Sequence, residues 1–99
     1  MGKDGNQTMK EHEIKVWSEY WDALDSGEKN FEVRRDDRGY QKGDILVLAK
    51  YDRKRDLHFL EGNRFGADKI IIRREITYIL TGGQLGIEPG FVVLGLKKA

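Results

Sequence analysis

The sequence predicts a small α+β domain in which one early helix is followed by strands that curl into a barrel. Its 99 residues are enough for one domain and too few for two. The composition, 38% hydrophobic and 35% charged, suits a small core under a charged surface. Short runs that alternate in polarity, or are apolar on both faces, are separated by turn residues, as is typical of strands. Residues 1–10 are expected to form a flexible leader, and residues 11–99 the single domain.

The first strand and the helix are predicted at the start of this domain. Ile14 and Val16 alternate with charged residues in the period of a half-buried strand over residues 12–17. Ser18 is expected to cap the N-terminus of the helix, and Gly27 to end it in the left-handed conformation. Aromatic side chains at this spacing are more often core residues than base-stacking platforms. That expectation covers Trp17, Tyr20 and Trp21.

The next two strands differ in pattern. Over residues 30–36, Phe31 and Val33 are predicted on one face and Glu32 and Arg34 on the other. Residues 45–51 begin apolar on both faces, which indicates a central strand.

The C-terminal half is predicted to be mostly strand. Residues 57–60 fit a short strand, residues 69–80 a long one and residues 91–96 the closing one, with a glycine-rich loop at residues 82–90. In the long strand, Arg74 interrupts an apolar row, so a β-bulge is expected at or near residues 73–74. The row expected on one side consists of Ile70, Ile72, Ile76, Tyr78 and Leu80.

Composition excludes several kinds of site. The absence of cysteine excludes disulfides, thiolate zinc sites and a cysteine nucleophile. The two histidines have no second ligand at helical spacing, so neither a metal nor a cofactor is expected. The longest uncharged run, residues 76–87, is shorter than the roughly 18 apolar residues of a membrane span. The first residues lack the apolar stretch of a signal peptide, so a cytoplasmic protein without membrane partners is expected.

Charge is divided unevenly along a chain of net charge +1. Residues 1–28 carry a net charge of −4 and residues 29–99 a net charge of +5, so the chain can present a basic face. Basic residues beside Tyr51 suit contacts with single-stranded nucleic acid. Asp52 and Asp56 flank the cluster of Arg53, Lys54 and Arg55. An ordinary solvated loop is therefore an equally good interpretation of that segment. The residues predicted to contact phosphates are Lys50, Arg53, Lys54, Arg55, Arg73 and Arg74.

The most specific segment is residues 26–34. It places Gly27, Lys29, Glu32 and Arg34 in a G-x-K-x-x-E-x-R arrangement, which resembles the signature of the ASCH domains, relatives of the PUA RNA-binding domain. Further segments look like the ASCH-related DUF3850 family of short bacterial and phage proteins. These segments are residues 12–15, 20–21, 30–34, 37–38, 43–46, 76–80 and 90–94. The resemblance implies a PUA-like mixed β-barrel of about five or six strands.

Two functions are consistent with this motif. The first is an RNA- or nucleotide-binding module in which Lys29, Glu32 and Arg34 read a base in a polar cleft, with Arg38 beside them. A salt-bridge network on a solvated strand face is the structural alternative. The second function is an enzyme, because some ASCH proteins resemble this chain in motif and act as amidohydrolases on acetylated cytidine. Lys29 and Glu32 would then handle protons, although Glu32 stands where those enzymes carry a threonine nucleophile.

The expected partner is therefore RNA or a nucleotide. A protein partner remains open, because no residue selects for or against an adaptor of host proteins. A monomer is favoured.

Overall fold

The computed structural model of the chain describes residues 9–99, so most of the predicted leader, residues 1–8, lies outside the described residues. The α+β class, with six strands and one early helix, is confirmed. Single 3-10 turns lie at Ser18–Tyr20 and Glu61–Asn63. The principal elements are β1 (Glu11–Trp17), α1 (Trp21–Ser26), β2 (Phe31–Arg35), β3 (Ile45–Asp52), β4 (Leu57–His58), β5 (Ile71–Thr81) and β6 (Phe91–Lys98).

The six strands form one mixed sheet that curls into a half-barrel. Its order is β1-β3-β5-β6-β2, and the short β4 pairs with β3. β1 runs parallel to β3, whereas the other pairs are antiparallel. The first two strands along the sequence, β1 and β2, are therefore the two edges of the sheet.

The core lies where α1 packs against this sheet. β3 is central as predicted, and its side chains from Ile45 to Ala49 are all buried. Trp21 and Leu24 of α1 close the core with β1, β3, β5 and β6. No helix in residues 9–99 is long and apolar enough to cross a membrane.

The helix ends as predicted but begins differently. Gly27 follows α1 with φ of 87°, a left-handed conformation that glycine adopts without a steric penalty. Ser18 is not an N-cap, because it is the first residue of the 3-10 turn, and α1 itself begins only at Trp21. The residues that precede the two helices make no side-chain cap hydrogen bond.

The predicted β-bulge exists, but three residues later than expected. The pairing of β5 with β3 is continuous through Arg73 and Arg74, and the register shift lies between Ile76 and Tyr78, where β5 pairs with β6. One extra residue reverses the alternation of the strand. Ile76 is therefore buried, whereas Tyr78 is 65% exposed, and the prediction that they share one face is wrong.

Candidate functional site

A cleft of about 360 Å³ opens where β1 ends and β2 begins. We call it the edge cleft because both strands are edges of the half-barrel. It contains all three charged residues of the sequence motif. Its lining consists of Lys15, Val16, Trp17, Tyr20, Lys29, Phe31, Glu32, Val33 and Arg34.

Glu32 is the buried centre of this cleft, with only 5% of its surface exposed. The Lys29 ammonium donates to Glu32 Oε2 at 2.6 Å. Arg34 Nη1 lies 3.5 Å from the other carboxylate oxygen, Oε1, which is a looser contact. Along β2 the exposure alternates, so that Glu32 is buried and Arg34 is partly buried, whereas Phe31 and Val33 are exposed at the rim of the cleft. The structure thus brings together the three residues that the sequence pattern singled out.

The two cations retain hydrogen-bonding capacity. Lys29 has three donors and spends one more on the Phe31 carbonyl at 3.1 Å, which leaves a third. Arg34 has five donors, and Nη1 donates to the Lys15 carbonyl of β1 at 3.1 Å. With Lys15 also in the lining, the cleft is bordered by three cations and one carboxylate. The edge cleft is therefore positive overall and can still donate hydrogen bonds to a guest.

One wall of the cleft is aromatic. The rings of Trp17 and Tyr20 stack with centroids 6.2 Å apart and planes inclined by 23°. They are 43% and 47% exposed, so the prediction that they belong to the core is wrong for both, while Trp21 is buried as predicted. The Lys29 ammonium lies 5.4 Å from the Tyr20 centroid and 4.9 Å from that of Phe31.

The exposure of Trp17 follows from the alternation of polar and apolar residues along β1. Ile14 and Val16 are the inward positions of β1, so the opposite phase contains Glu13, Lys15 and Trp17. A tryptophan in the same phase as two charged residues faces away from the core. Lys15, which also lines the cleft, has the same phase and was not among the predicted residues.

Two other predicted residues lie next to this cleft. Arg38 reaches β1, where its Nη1 donates to the Glu13 carbonyl at 2.6 Å. Arg53 places its guanidinium 4.2 Å from the Trp17 centroid and pairs with Glu19 at 2.6 Å.

The remaining predicted basic residues do not line the cleft. Arg74 contradicts the prediction of a surface contact, because its side chain is buried and its Nη2 donates to the Leu24 and Asp25 carbonyls at the end of α1. Arg73 is exposed but pairs with Glu11 at 2.5 Å.

The residues at the end of β3 and in the basic loop after it are also less available for contacts with nucleic acid than predicted. The Lys50 ammonium covers the Phe59 ring at 4.6 Å, and Tyr51 is buried, so its ring is not available for stacking. Arg55 lies 3.7 Å from Asp52, and Lys54 is exposed.

A second buried polar cluster lies at the opposite end of β1. Asp44 is 3% exposed, and its Oδ2 lies 2.8 Å from His12 Nε2. The backbone amides of Lys10 and Gln41 donate to its carboxylate at 3.1 and 3.0 Å. Burial alone would raise the pKa of Asp44, but the hydrogen bonds from His12 and the two amides hold it below the usual value. No group of three or more His, Cys, Asp or Glu side chains suited to a metal ion occurs in residues 9–99.

Comparison with known proteins identifies a family and a partial match to a phage protein. The family model of DUF3850, a domain of unknown function, matches residues 11–96. A relative from Escherichia phage P2, named only as a 12.9 kDa protein in the GpA 3'region, is 40% identical over 42 residues. That alignment covers 42% of this chain and 38% of the phage protein.

Proposed function

The chain belongs to the DUF3850 family, and from that premise we propose that it is a small RNA- or nucleotide-binding module that receives a nucleobase in the edge cleft. A relationship to the ASCH and PUA-like domains, and a cytoplasmic location, are parts of the same proposal. The name of the phage relative describes neither a ligand nor an activity.

The observation that carries this proposal is the juxtaposition of an exposed aromatic pair with a charged, partly buried motif in one cleft. A volume of about 360 Å³ falls within the roughly 300–1,000 Å³ of small-molecule sites. Trp17 and Tyr20 are exposed aromatic side chains of the kind on which a base can stack. The surrounding cations favour an anionic ligand, which nucleotides and RNA are.

Each charged residue has a distinct part in this recognition. Glu32 Oε1 is the less engaged carboxylate oxygen, and it can accept a hydrogen bond from an exocyclic amine of a base. Arg34 presents a planar set of donors to ring nitrogens or carbonyl oxygens. Lys29 fixes the position of Glu32 and has a donor left for a phosphate or sugar oxygen.

Binding can be measured by the quenching of tryptophan fluorescence with single-stranded RNA and with mononucleotides at low salt, where phosphate contacts are strongest. We expect Arg34→Gln and Trp17→Leu each to weaken binding about tenfold, which corresponds to about 1.4 kcal/mol. Trp17→Leu also removes a fluorophore, so its affinity is measured by calorimetry. Arg64→Gln removes one charge outside the cleft lining and is the matched control.

Two results would overturn the proposal. One is the absence of binding to any of these probes at low salt. The other is turnover of acetylated cytidine that disappears in Lys29→Ala, which would make the chain an enzyme. The residues that line the edge cleft include no Ser, Thr or Cys that could act as an acyl acceptor.

A further inference from the structure

A second hollow adjoins the edge cleft on the outer side of β1. It also has a volume of about 360 Å³, and Lys15 and Arg34 line both. We call it the basic hollow because of its charged lining. That lining comprises Lys15, Arg34, Arg38, His58 and Lys69, with Glu13 as the acid.

The single acid of the basic hollow does not neutralise it. Glu13 is already paired with Lys69 at 2.7 Å, and the pair is half exposed to solvent. The Lys15 ammonium lies 4.5 Å from the centroid of the Tyr51 ring and has no carboxylate partner within residues 9–99. Arg34 and Arg38 each donate from one nitrogen to a β1 carbonyl and retain further donors. The hollow is thus rich in cations whose hydrogen-bonding capacity is only partly used.

His58 responds to this positive environment. Burial lowers the pKa of its imidazole, and the charges of Lys69 and Lys15 lower it further. The histidine therefore resists carrying another positive charge in a place where cations already converge. An anion in the hollow would relieve that repulsion.

We propose that the basic hollow is a phosphate subsite that holds a phosphate group of the ligand whose base lies in the edge cleft. This inference rests on the proposed function and specifies its ligand class as phosphorylated nucleotides or RNA rather than free nucleosides. Lys15 and Arg34, which line both spaces, stand where base and phosphate would be joined through the sugar. Arg38 and Lys69 supply the donors that only a phosphorylated ligand reaches.

The phosphate can come from two sources, a terminal phosphate of a mononucleotide or an internucleotide phosphate of RNA. Fluorescence titration with ribonucleosides, nucleoside monophosphates and dinucleoside monophosphates at low salt separates them. We expect the phosphorylated probes to bind about tenfold more tightly than the nucleosides. Tight binding that begins with the monophosphates assigns a terminal phosphate, and tight binding restricted to the dinucleoside monophosphates assigns an internucleotide one.

Lys69→Gln tests the assignment to the basic hollow, because this exposed side chain can be changed without disturbing the core. We expect it to weaken binding of the phosphorylated probe about fivefold, the equivalent of about 1 kcal/mol, and to leave nucleoside binding unchanged. Arg38→Gln is a second variant with the same expectation. Lys42→Gln removes an exposed charge that lines neither space and is the matched control.

A histidine titration by NMR gives an independent result. The pKa of His58 should rise when the phosphorylated probe binds and stay constant when the nucleoside binds.

Failure of this inference is distinct from failure of the proposed function. Nucleosides that bind as tightly as their phosphates, with no effect of Lys69→Gln, would overturn the phosphate subsite and leave the base-binding cleft intact. No binding by any probe would overturn both.

Discussion

Glu32 and Asp44 are both buried carboxylates, 5% and 3% exposed, yet their surroundings differ in kind. Asp44 is held by His12, itself buried, and by two backbone amides, none of which can leave without unfolding the start of β1 or the turn before β3. Glu32 is held by Lys29 and Arg34, whose side chains are 21% and 28% exposed and border an open cleft. Two carboxylates of similar burial therefore differ in role. Asp44 joins segments of the fold, whereas Glu32 has partners that can turn toward a ligand.

The largest expected effect is on Asp44. Asp44→Ala leaves the His12 imidazole and the Lys10 and Gln41 amides without their acceptor. We expect it to lower the free energy of unfolding by about 3 kcal/mol, the scale for leaving buried donors without the charged acceptor that satisfied them. Urea denaturation followed by circular dichroism measures this. Asp44→Asn, which keeps an acceptor oxygen, should lose less, and equal losses in the two variants would contradict the explanation.

A smaller stability effect is expected at Glu32, together with a larger effect on binding. Glu32→Gln keeps the shape and one acceptor oxygen, and Lys29 can turn toward the solvent of the cleft. The free energy of unfolding should therefore fall by about 1 kcal/mol, while nucleotide affinity falls about tenfold. The same urea titrations and calorimetric binding measurements give both numbers. If Glu32→Gln destabilised the chain as much as Asp44→Ala, Glu32 would be a structural acid and the comparison would collapse.

The smallest effect is the pH dependence of stability. The pKa of Asp44 is lower in the folded chain than its ordinary value of 3.8. Its contribution is therefore fully present above about pH 4 and is lost as the pH falls through the folded-state pKa. Thermal unfolding from pH 7 to pH 2.5 should show this loss in the wild type. In Asp44→Asn the decline below pH 4 should be shallower, and an unchanged slope would assign it to other carboxylates.

His58 adds a second pH dependence of stability, in a higher pH range than that of Asp44. In His58 the folded chain disfavours the charged form, whereas in Asp44 it favours the charged form. Its pKa is lowered by burial and by Lys69 and Lys15, so the unfolded chain takes up a proton first as the pH falls. His58 therefore causes no loss of stability above its ordinary pKa of 6.5, and the free energy of unfolding declines as the pH falls below that value. The two declines are thus resolved on the pH axis.

Local patterns in the sequence predicted most of the fold, because strand alternation and the helix-ending Gly27 depend on neighbouring residues only. The bulge was misplaced for a tertiary reason. Arg74 looks like a break in an apolar row, but its guanidinium finds acceptors on α1, about 50 residues earlier in the chain, and the row continues without a shift. No local pattern reveals such a partner.

The candidate site also combines residues that are close in sequence with residues that only long-range strand pairing brings together. Lys29, Glu32 and Arg34 lie within six residues, so their proximity followed from the strand and turn that carry them. Trp17 and Lys15 join them only because β1 and β2 are the two edges of a curled sheet. The strand order that creates this meeting depends on long-range pairing, which period and composition do not encode.

The arginines that cross from β2 and its following turn to β1 have a consequence for self-association. A free strand edge invites pairing with another chain, and this is a common route to aggregation. In β1 the carbonyls of Glu13 and Lys15, which face the gap, are already bonded to the guanidinium groups of Arg38 and Arg34. An incoming strand would have to displace two charged groups before it could form backbone hydrogen bonds with β1. This edge of the sheet is therefore protected against pairing with another chain.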